Sequence, residues 1–349
     1  MVKKIGIRVL IVALMLVGFN YIYKATLWQK DLATHAHLLP DIFTYQDSVE
    51  MLYFGESSNF SYNAEKDSIT ARISDLIYAH YPSIKAATIN SSALHAGTYL
   101  PLIKRLPDNT TVKTIIVTLN MRTFNAATIH SRLETAMMKS KVMYLNRPEL
   151  LNRFLMSLNF YDNKTEQERD EDMWEDWTYD TLTWLPDTFP YRTVKDWCAA
   201  PKFVQADGSY NTEKRSLADH YVKAYAFQID ESNPRVQDFD EIVKVCQQKG
   251  IQPVFNLLAE NVQYADSLIG DELVYIMRKN RDYLVKRYRE QGAIVVDNLE
   301  AVEGWDYTDQ NWTTEHYGQT GRLAIAHNVA IALKAVYGDY YQESPLEPK

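Results

Sequence analysis

Residues 47–60 read DSVEMLYFGESSNF. Val49, Met51, Leu52, Tyr53 and Phe54 suit a buried β-strand, and Gly55 marks where it stops. The turn that follows, Gly-Glu-Ser-Ser, is small and polar. Open α/β sheets place their chemistry in such turns, because side chains at the carboxyl end of a buried strand point into the crevice above the sheet. Ser57 is therefore a candidate nucleophile. Any strand can end in a polar turn, so the case for Ser57 rests on what the rest of the chain brings to the same edge.

Downstream, Ile69, Ile73, Leu76 and Ile77 recur at i, i+4, i+7 and i+8, which predicts a helix over 64–80 ending before Pro82. KAATIN (85–90) reads as a second strand and LPLIKRL (100–106) as a short helix. KTIIVTLN (113–120) is a β-branched run ending at Asn120, as in a strand buried on both faces. This alternation predicts an α/β fold with a parallel sheet. The pattern breaks over about 124–230, where Trp174, Trp177, Trp184 and Trp197 stand among dense acids. That region reads as a partly helical insertion, either roofing the crevice or forming solvated surface with locally packed aromatics. Alternation resumes with a helix over about 239–249 and a strand at 251–258. A helix through 275–289, a strand at 292–299 and a final helix over 321–338 follow. The expected organisation is one catalytic domain over 47–340, a linker over 25–46 containing the helix-averse Pro40, and a tail over 341–349.

The chain has 349 residues, 46% hydrophobic and 23% charged, with net charge −8. An acidic balance argues against a nucleic-acid partner, whose phosphates need clustered Lys and Arg. Lys3, Lys4 and Arg8 precede an apolar run over 5–23, close to the ~20 residues a helix needs to cross a bilayer. With Tyr21 and Tyr23 at its end and no small-residue cleavage site, the run reads as an uncleaved transmembrane anchor, the alternative being a cleaved signal peptide. Lysines ahead of the span predict a cytoplasmic N-terminus and an exported globular part. Cys198 and Cys246 fit no metal motif, and export permits their pairing without requiring it. Asn59, Asn90, Asn109, Asn163 and Asn311 each begin an Asn-x-Ser/Thr triplet. A glycan on Asn59 or Asn311 would block the stretches read here as catalytic, which favours a bacterial chain.

Of the eight histidines, His316 stands in a polar loop between the last strand and the last helix, flanked by Gly318 and Gly321. A serine after the first strand and a histidine after the last meet if both strands open on one edge, and nucleophilic catalysis needs the imidazole within hydrogen-bond reach of the hydroxyl. Oxyanion donors are expected from the backbone N–H of Gly97 and the side-chain amide of Asn120.

In these four residues the chain resembles the SGNH, or GDSL-like, hydrolase superfamily. GESS looks like its Gly-Asp-Ser block with Glu56 in place of Asp, and TLNM retains only Asn120 of its Gly-x-Asn-Asp block. The anchor, the segment NLLAENVQYADSLIG (256–270) and HYGQTG (316–321) resemble membrane-anchored proteins of cell-envelope acylation, the D-alanine transfer protein and alginate O-acetylation types. The resemblance implies a flavodoxin-like three-layer α/β/α sandwich and a serine esterase or O-acyltransferase acting on an envelope glycan. It also implies a membrane-bound O-acyltransferase partner, no cofactor or metal, and a periplasmic domain anchored in a bacterial inner membrane. The superfamily usually has Asp three residues before its histidine, where this chain has Thr313. The acid is then expected to be Asp309, with Asp306 and Glu315 as alternatives, unless a Ser-His dyad operates with a backbone carbonyl orienting the ring. With Thr313 and Glu56 in those places, a catalytically inactive scaffold or glycan-binding protein is the rival reading.

Overall fold

A computed structural model describes residues 2–344 apart from 163, 180, 181, 184, 187, 188 and 190. Helices α1 (Val2–Thr26), α2 (Trp28–His35) and α3 (Leu39–Tyr45) precede strand β1 (Met51–Gly55). Helix α4 (Ile73–Ala79) leads to β2 (Ala86–Asn90), and α5 (Ala96–Lys104) to β3 (Thr114–Leu119). There follow α6 (Ala126–Ile129), α7 (Arg132–Tyr144), α8 (Glu149–Ser157), α9 (Glu166–Tyr179), α10 (Val194–Ala199) and α11 (Thr212–Tyr225). The chain closes with α12 (Pro234–Gln248), β4 (Gln252–Leu257), α13 (Val262–Leu268), α14 (Asp271–Glu290), β5 (Ile294–Asp297) and α15 (Gln319–Tyr337).

Among the described residues the strands form one parallel sheet in the order β2-β1-β3-β4-β5. Alternate side chains of each strand enter different cores. Leu52, Phe54, Ile115, Val117, Phe255 and Leu257 pack with Leu102 and Ile103 of α5 and Phe239 and Ile242 of α12. Met51, Tyr53, Ile116 and Val254 pack with Ile73 and Ile77 of α4 and Ile325, Val329 and Leu333 of α15. Strand order reverses between β1 and β3, and in open α/β sheets the crevice for a ligand lies at that switch point, outside the carboxyl ends. A buried chain of amides ties that edge together. Asn256 Nδ2 donates to Tyr53 Oη at 3.3 Å, Asn298 Nδ2 to Asn256 Oδ1 at 2.8 Å, and Asn328 Nδ2 to Asn298 Oδ1 at 2.8 Å.

Two expectations need correction. The helix over 64–80 is only α4; residues 64–72 are irregular. Gln319 Oε1 accepts from the N–H groups of Ser68 and Ile69, at 2.9 and 2.8 Å, and Arg322 Nη2 donates to Asp67 Oδ2 at 2.9 Å. Side chains of α15 thus satisfy groups that a helix would have paired internally. The 25–46 linker is instead α2 and α3, with Leu32, Leu38, Leu39 and Ile42 buried in the core. Pro40 lies in the first turn of α3, where its missing N–H costs nothing. Both cysteines are free, Cys246 buried in the core. Of the tail, 345–349 lie outside the described residues.

Helix α1 is long and apolar enough to cross a membrane, with a mean hydropathy of 2.1. Loss of a link in the amide chain should weaken the sheet edge. Asn298→Ala strips Asn256 Oδ1 of its donor, and urea denaturation should register a loss of about 1–3 kcal/mol, the cost of one buried unpaired polar group.

Candidate active site

Gly55 ends β1 because nothing larger fits: a Cβ there would stand 2.6 Å from Asn90 Oδ1 and 2.8 Å from the Tyr53 ring. The chain then enters a 3-10 turn, Ser57–Asn59, with Glu56 as its cap. Asn59 is fully buried and accepts from Ser74 N–H at 2.8 Å, so this triplet offers no glycan acceptor. Ser57 is left at the head of the turn, facing a cavity of about 440 Å³ that Glu56, His95, Asn120, Arg122, Glu134 and His316 also line.

The loop after β5 delivers the histidine. Tyr307 and Tyr317 pair as an antiparallel bridge, and Thr308 N–H donates to the His316 carbonyl at 2.9 Å. This hairpin-like closure carries Asp309 back alongside His316. The imidazole Nδ1 lies 2.6 Å from Asp309 Oδ2, and its Nε2 lies 3.0 Å from Ser57 Oγ. Thr314 Oγ1 also donates to Asp309 Oδ2, at 2.8 Å. Thr313 is buried in the loop and makes no hydrogen bond with the imidazole. Glu315 faces away from the ring and forms a bidentate pair with Arg122, at 2.9 and 2.8 Å. Asp306 instead accepts from Gly321 N–H at the start of α15. A Cβ on Gly318 would collide with the Asp306 carboxylate, and one on Gly321 would stand 2.7 Å from Val302. Both glycines of HYGQTG therefore serve close packing of the loop.

The two expected oxyanion donors part company. Asn120 Oδ1 accepts from Arg122 N–H at 2.9 Å, leaving Nδ2 without a protein partner among the described residues, on the cavity wall. Gly97 is not a loop residue but the second residue of α5. Its N–H is committed to Nδ1 of His95, the helix cap, at 3.1 Å. A glycine is needed there because α12 comes close, with Asp238 Oδ2 2.7 Å from where a Cβ would be. The nearby backbone that does line the cavity is the turn at Ala93, held in the left-handed region at φ 59°. Non-glycine residues seldom adopt that conformation, and strain of this kind gathers at functional sites. The Ala93 N–H has no partner among the described residues. Sequence patterning misses it, since alanine carries no signal of positive φ.

Charge around the site is unusual. Glu56, Glu260 and Glu315 are all buried and share one cation, Arg122. Burial, with the charge of Glu315 added, pushes Glu56 above the ordinary carboxylate range and Glu260 well above it. Glu260 Oε2 accepts from Tyr225 Oη at 2.6 Å, while Oε1 has no partner among the described residues. The strand-end rule that singled out Ser57 and Asn120 also points to Glu260, three residues beyond β4. Across the cavity, His95 Nε2 lies 2.7 Å from Glu134 Oε2, which also pairs with Arg235. Burial lowers the His95 pKa, favouring a neutral ring.

The insertion supplies a cavity wall through Thr128, Ser131, Glu134 and Met137. Its Trp177 and Trp197 are packed in the core, Trp174 is partly exposed, and Trp184 lies outside the described residues. Trp305 and Trp312, on the His316 loop, are exposed as well, at 68% and 48%, Trp312 with its ring 4.0 Å from that of His220. The chain matches no protein-family model and no curated protein.

A buried carboxyl whose pKa is raised in the fold binds its proton more tightly folded than unfolded, so its contribution is present below the ordinary carboxylate range and is lost as pH rises through the folded value. Glu260→Gln, which cannot ionise, should therefore raise the thermal midpoint above wild type at pH 8. The gap should shrink toward pH 5, as thermal melts at several pH values would show.

Proposed function

We propose that the chain is a serine esterase or O-acyltransferase of SGNH type, built on the three-layer α/β/α sandwich of that superfamily. The observation that carries this reading is the hydrogen-bonded series Asp309, His316, Ser57, with spacings of 2.6 and 3.0 Å, at the switch point of a parallel sheet. In the mechanism, His316 Nε2 takes the Ser57 proton as Oγ attacks an acyl carbonyl, and Asp309 steadies the imidazolium. The oxyanion receives Asn120 Nδ2 and the N–H of the Ala93 turn. Collapse of the tetrahedral intermediate breaks the ester C–O bond, and the leaving alkoxide takes the proton from His316 Nε2, leaving the acyl-enzyme. A sugar hydroxyl or water, deprotonated in turn by the neutral His316, attacks it, and Ser57 Oγ departs with that proton.

One contact favours the rival scaffold: Ser57 Oγ also donates to Glu56 Oε2, at 2.8 Å. A hydroxyl has one proton, and an ionised Glu56 would draw it away from His316. Burial and the neighbouring Glu315 charge favour the protonated acid, which supplies a proton of its own and leaves that of Ser57 for the imidazole. Glu56→Gln, permanently neutral, should accordingly keep most of the activity.

The substrate we infer is an acyl ester of an extracytoplasmic envelope glycan. Support comes from a groove of about 500 Å³ beside the His316 loop, lined by Asn63, Lys66, Ser68, Gln310 and Gln319 with exposed Trp305 as a stacking face. The apolar α1 supports anchorage in a bacterial inner membrane with the domain in the periplasm, fed by a membrane-bound O-acyltransferase. Tethering raises the effective concentration of a donor delivered there.

A fluorophosphonate probe should label the wild-type protein at Ser57 and leave Ser57→Ala unmodified; an unlabelled wild type would favour the scaffold. In turnover of an aryl acetate, Ser57→Ala and His316→Ala should lose on the order of 10⁴- to 10⁶-fold. Asp309→Asn should lose on the order of 10⁴-fold, and Asn120→Ala about 10²- to 10³-fold. Envelope-glycan O-acylation in cells carrying Ser57→Ala should fall for a transferase and rise for an esterase.

A further inference from the structure

The far end of α1 does not hang free of the globular part. Asn20 Nδ2 donates to Glu149 Oε2 at 3.0 Å, Asn20 Oδ1 accepts from Leu150 N–H at 2.8 Å, and Lys24 Nζ lies 2.8 Å from Glu149 Oε1. One turn further along α8, Arg153 Nε donates to Asp31 Oδ2 at 2.9 Å, and the same oxygen accepts from Tyr23 Oη at 2.7 Å. Two successive turns of α8 are thus held at the far end of α1, the first directly by residues 20 and 24 and the second through Asp31 of α2, which Tyr23 also binds.

That end is where a bilayer surface would lie. At ~1.5 Å per residue, α1 is roughly 37 Å long, while the hydrocarbon core takes ~20 residues. Lys3 and Lys4 hold its first turn at the cytoplasmic face, with the Arg8 side chain reaching back to it, so the ~20 residues after Lys4 end at residue 24, and the end of the span, with Tyr21 and Tyr23, reaches the opposite interface, where such aromatics settle. Helix α8 buries Asn152 and Met156 against the protein. Its other face is apolar and bare: Leu151, Phe154 and Leu158, at i, i+3 and i+7, are exposed, Phe154 at 57%, and Phe160 just beyond the helix is 62% exposed. A helix with a bare apolar stripe, held by its polar groups at the end of a span, has the form of an interfacial helix.

We propose that α8 is a membrane-interface helix, with Leu151, Phe154, Leu158 and Phe160 inserted at the headgroup–acyl boundary of the outer face of the bilayer that α1 spans. The inference rests on α1 being a membrane span and is independent of the esterase reading. It carries a consequence for the cavity. Arg105 donates to the carbonyls of Tyr144 and Leu145, each at 2.6 Å, and Asn152 Nδ2 donates to the Leu145 carbonyl at 2.8 Å. The Asn152 bond ties α8 to the end of α7, and Arg105, at the end of α5, holds that same end in place; the N-terminal turn of α7 lines the cavity through Ser131 and Glu134. The lipid-bound helix and the insertion-side wall of the cavity thus form one bracket, which sets the cavity at a fixed height above the membrane.

The test uses the full chain, with Cys198→Ser and Cys246→Ala, reconstituted in phosphatidylcholine nanodiscs without other proteins. An environment-sensitive fluorophore is attached in turn at Phe154→Cys, Leu158→Cys, Val12→Cys and Lys244→Cys, each variant first shown to keep the wild-type thermal midpoint. Val12 reports the span and Lys244, on α12, reports water. The labels at 154 and 158 should be quenched by lipids bearing a nitroxide near the headgroup and be several-fold less accessible to iodide than the label at 244, while the label at 12, near the middle of the span, is read with lipids bearing the nitroxide deep in the acyl chain. Quenching at 12 with iodide-accessible labels at 154 and 158 would overturn the proposal while leaving the anchor standing, and would assign the patch to a protein partner. Absence of lipid quenching at 12 would overturn the anchor and this proposal together, without touching the Ser57 chemistry.

Discussion

Everything at the site depends on the strands running parallel. Phe54 pairs with Val117, Leu119 with Leu257 and Leu257 with Asp297, so every strand ends on the same edge. Ser57 leaves from β1, Asn120 from β3 and Glu260 from β4, and His316 arrives on the loop after β5. In an antiparallel sheet alternate ends would face opposite ways, and residues 259 positions apart would have no common crevice. The reversal of order between β1 and β3 opens space there. The buried chain from Tyr53 through Asn256, Asn298 and Asn328 keeps the edge in register.

The second constraint is electrostatic. Burying three carboxyls around one guanidinium leaves a choice of which to ionise, and a buried charge without a partner is costly. Bidentate pairing gives Arg122 to Glu315, and the other two are pushed toward their neutral forms. The consequence reaches Ser57, whose Oγ lies 2.8 Å from Glu56 Oε2, since a neutral Glu56 places no negative charge beside that hydroxyl. The same Arg122, through its backbone N–H, orients the Asn120 amide. One residue therefore sets both the charge state and the donor geometry on that side of the cavity.

The segment that interrupts the α/β alternation is a working part of the architecture. It runs from the cavity wall at Ser131 and Glu134, through α7, to α8 at the end of α1. Trp177 and Trp197 are buried within it, while Trp174 of the same segment and Trp305 and Trp312 of the His316 loop are exposed.

Much was legible in the chain itself. Apolar runs with β-branched residues announce strands because a central parallel strand is buried on both faces, and a long apolar run announces a helix able to cross a bilayer. Ser57 and Asn120 stand out because polar residues right after such runs fall at the strand ends, and His316 because it lies in a polar, glycine-flanked loop between the last strand and the last helix. Tertiary structure alone decided the partners. Asp309 reaches His316 because a bridge between Tyr307 and Tyr317 folds the loop back, and nothing in residue spacing encodes that bridge. Residues 64–72 are not helical because Gln319 and Arg322, some 250 positions away, take over their polar groups. Gly97 lost its expected role when His95 capped α5. Local pattern reports what each element buries, a property of neighbours in sequence. Which donor meets which acceptor depends on how distant elements pack, and only the folded chain brings those atoms within hydrogen-bond range.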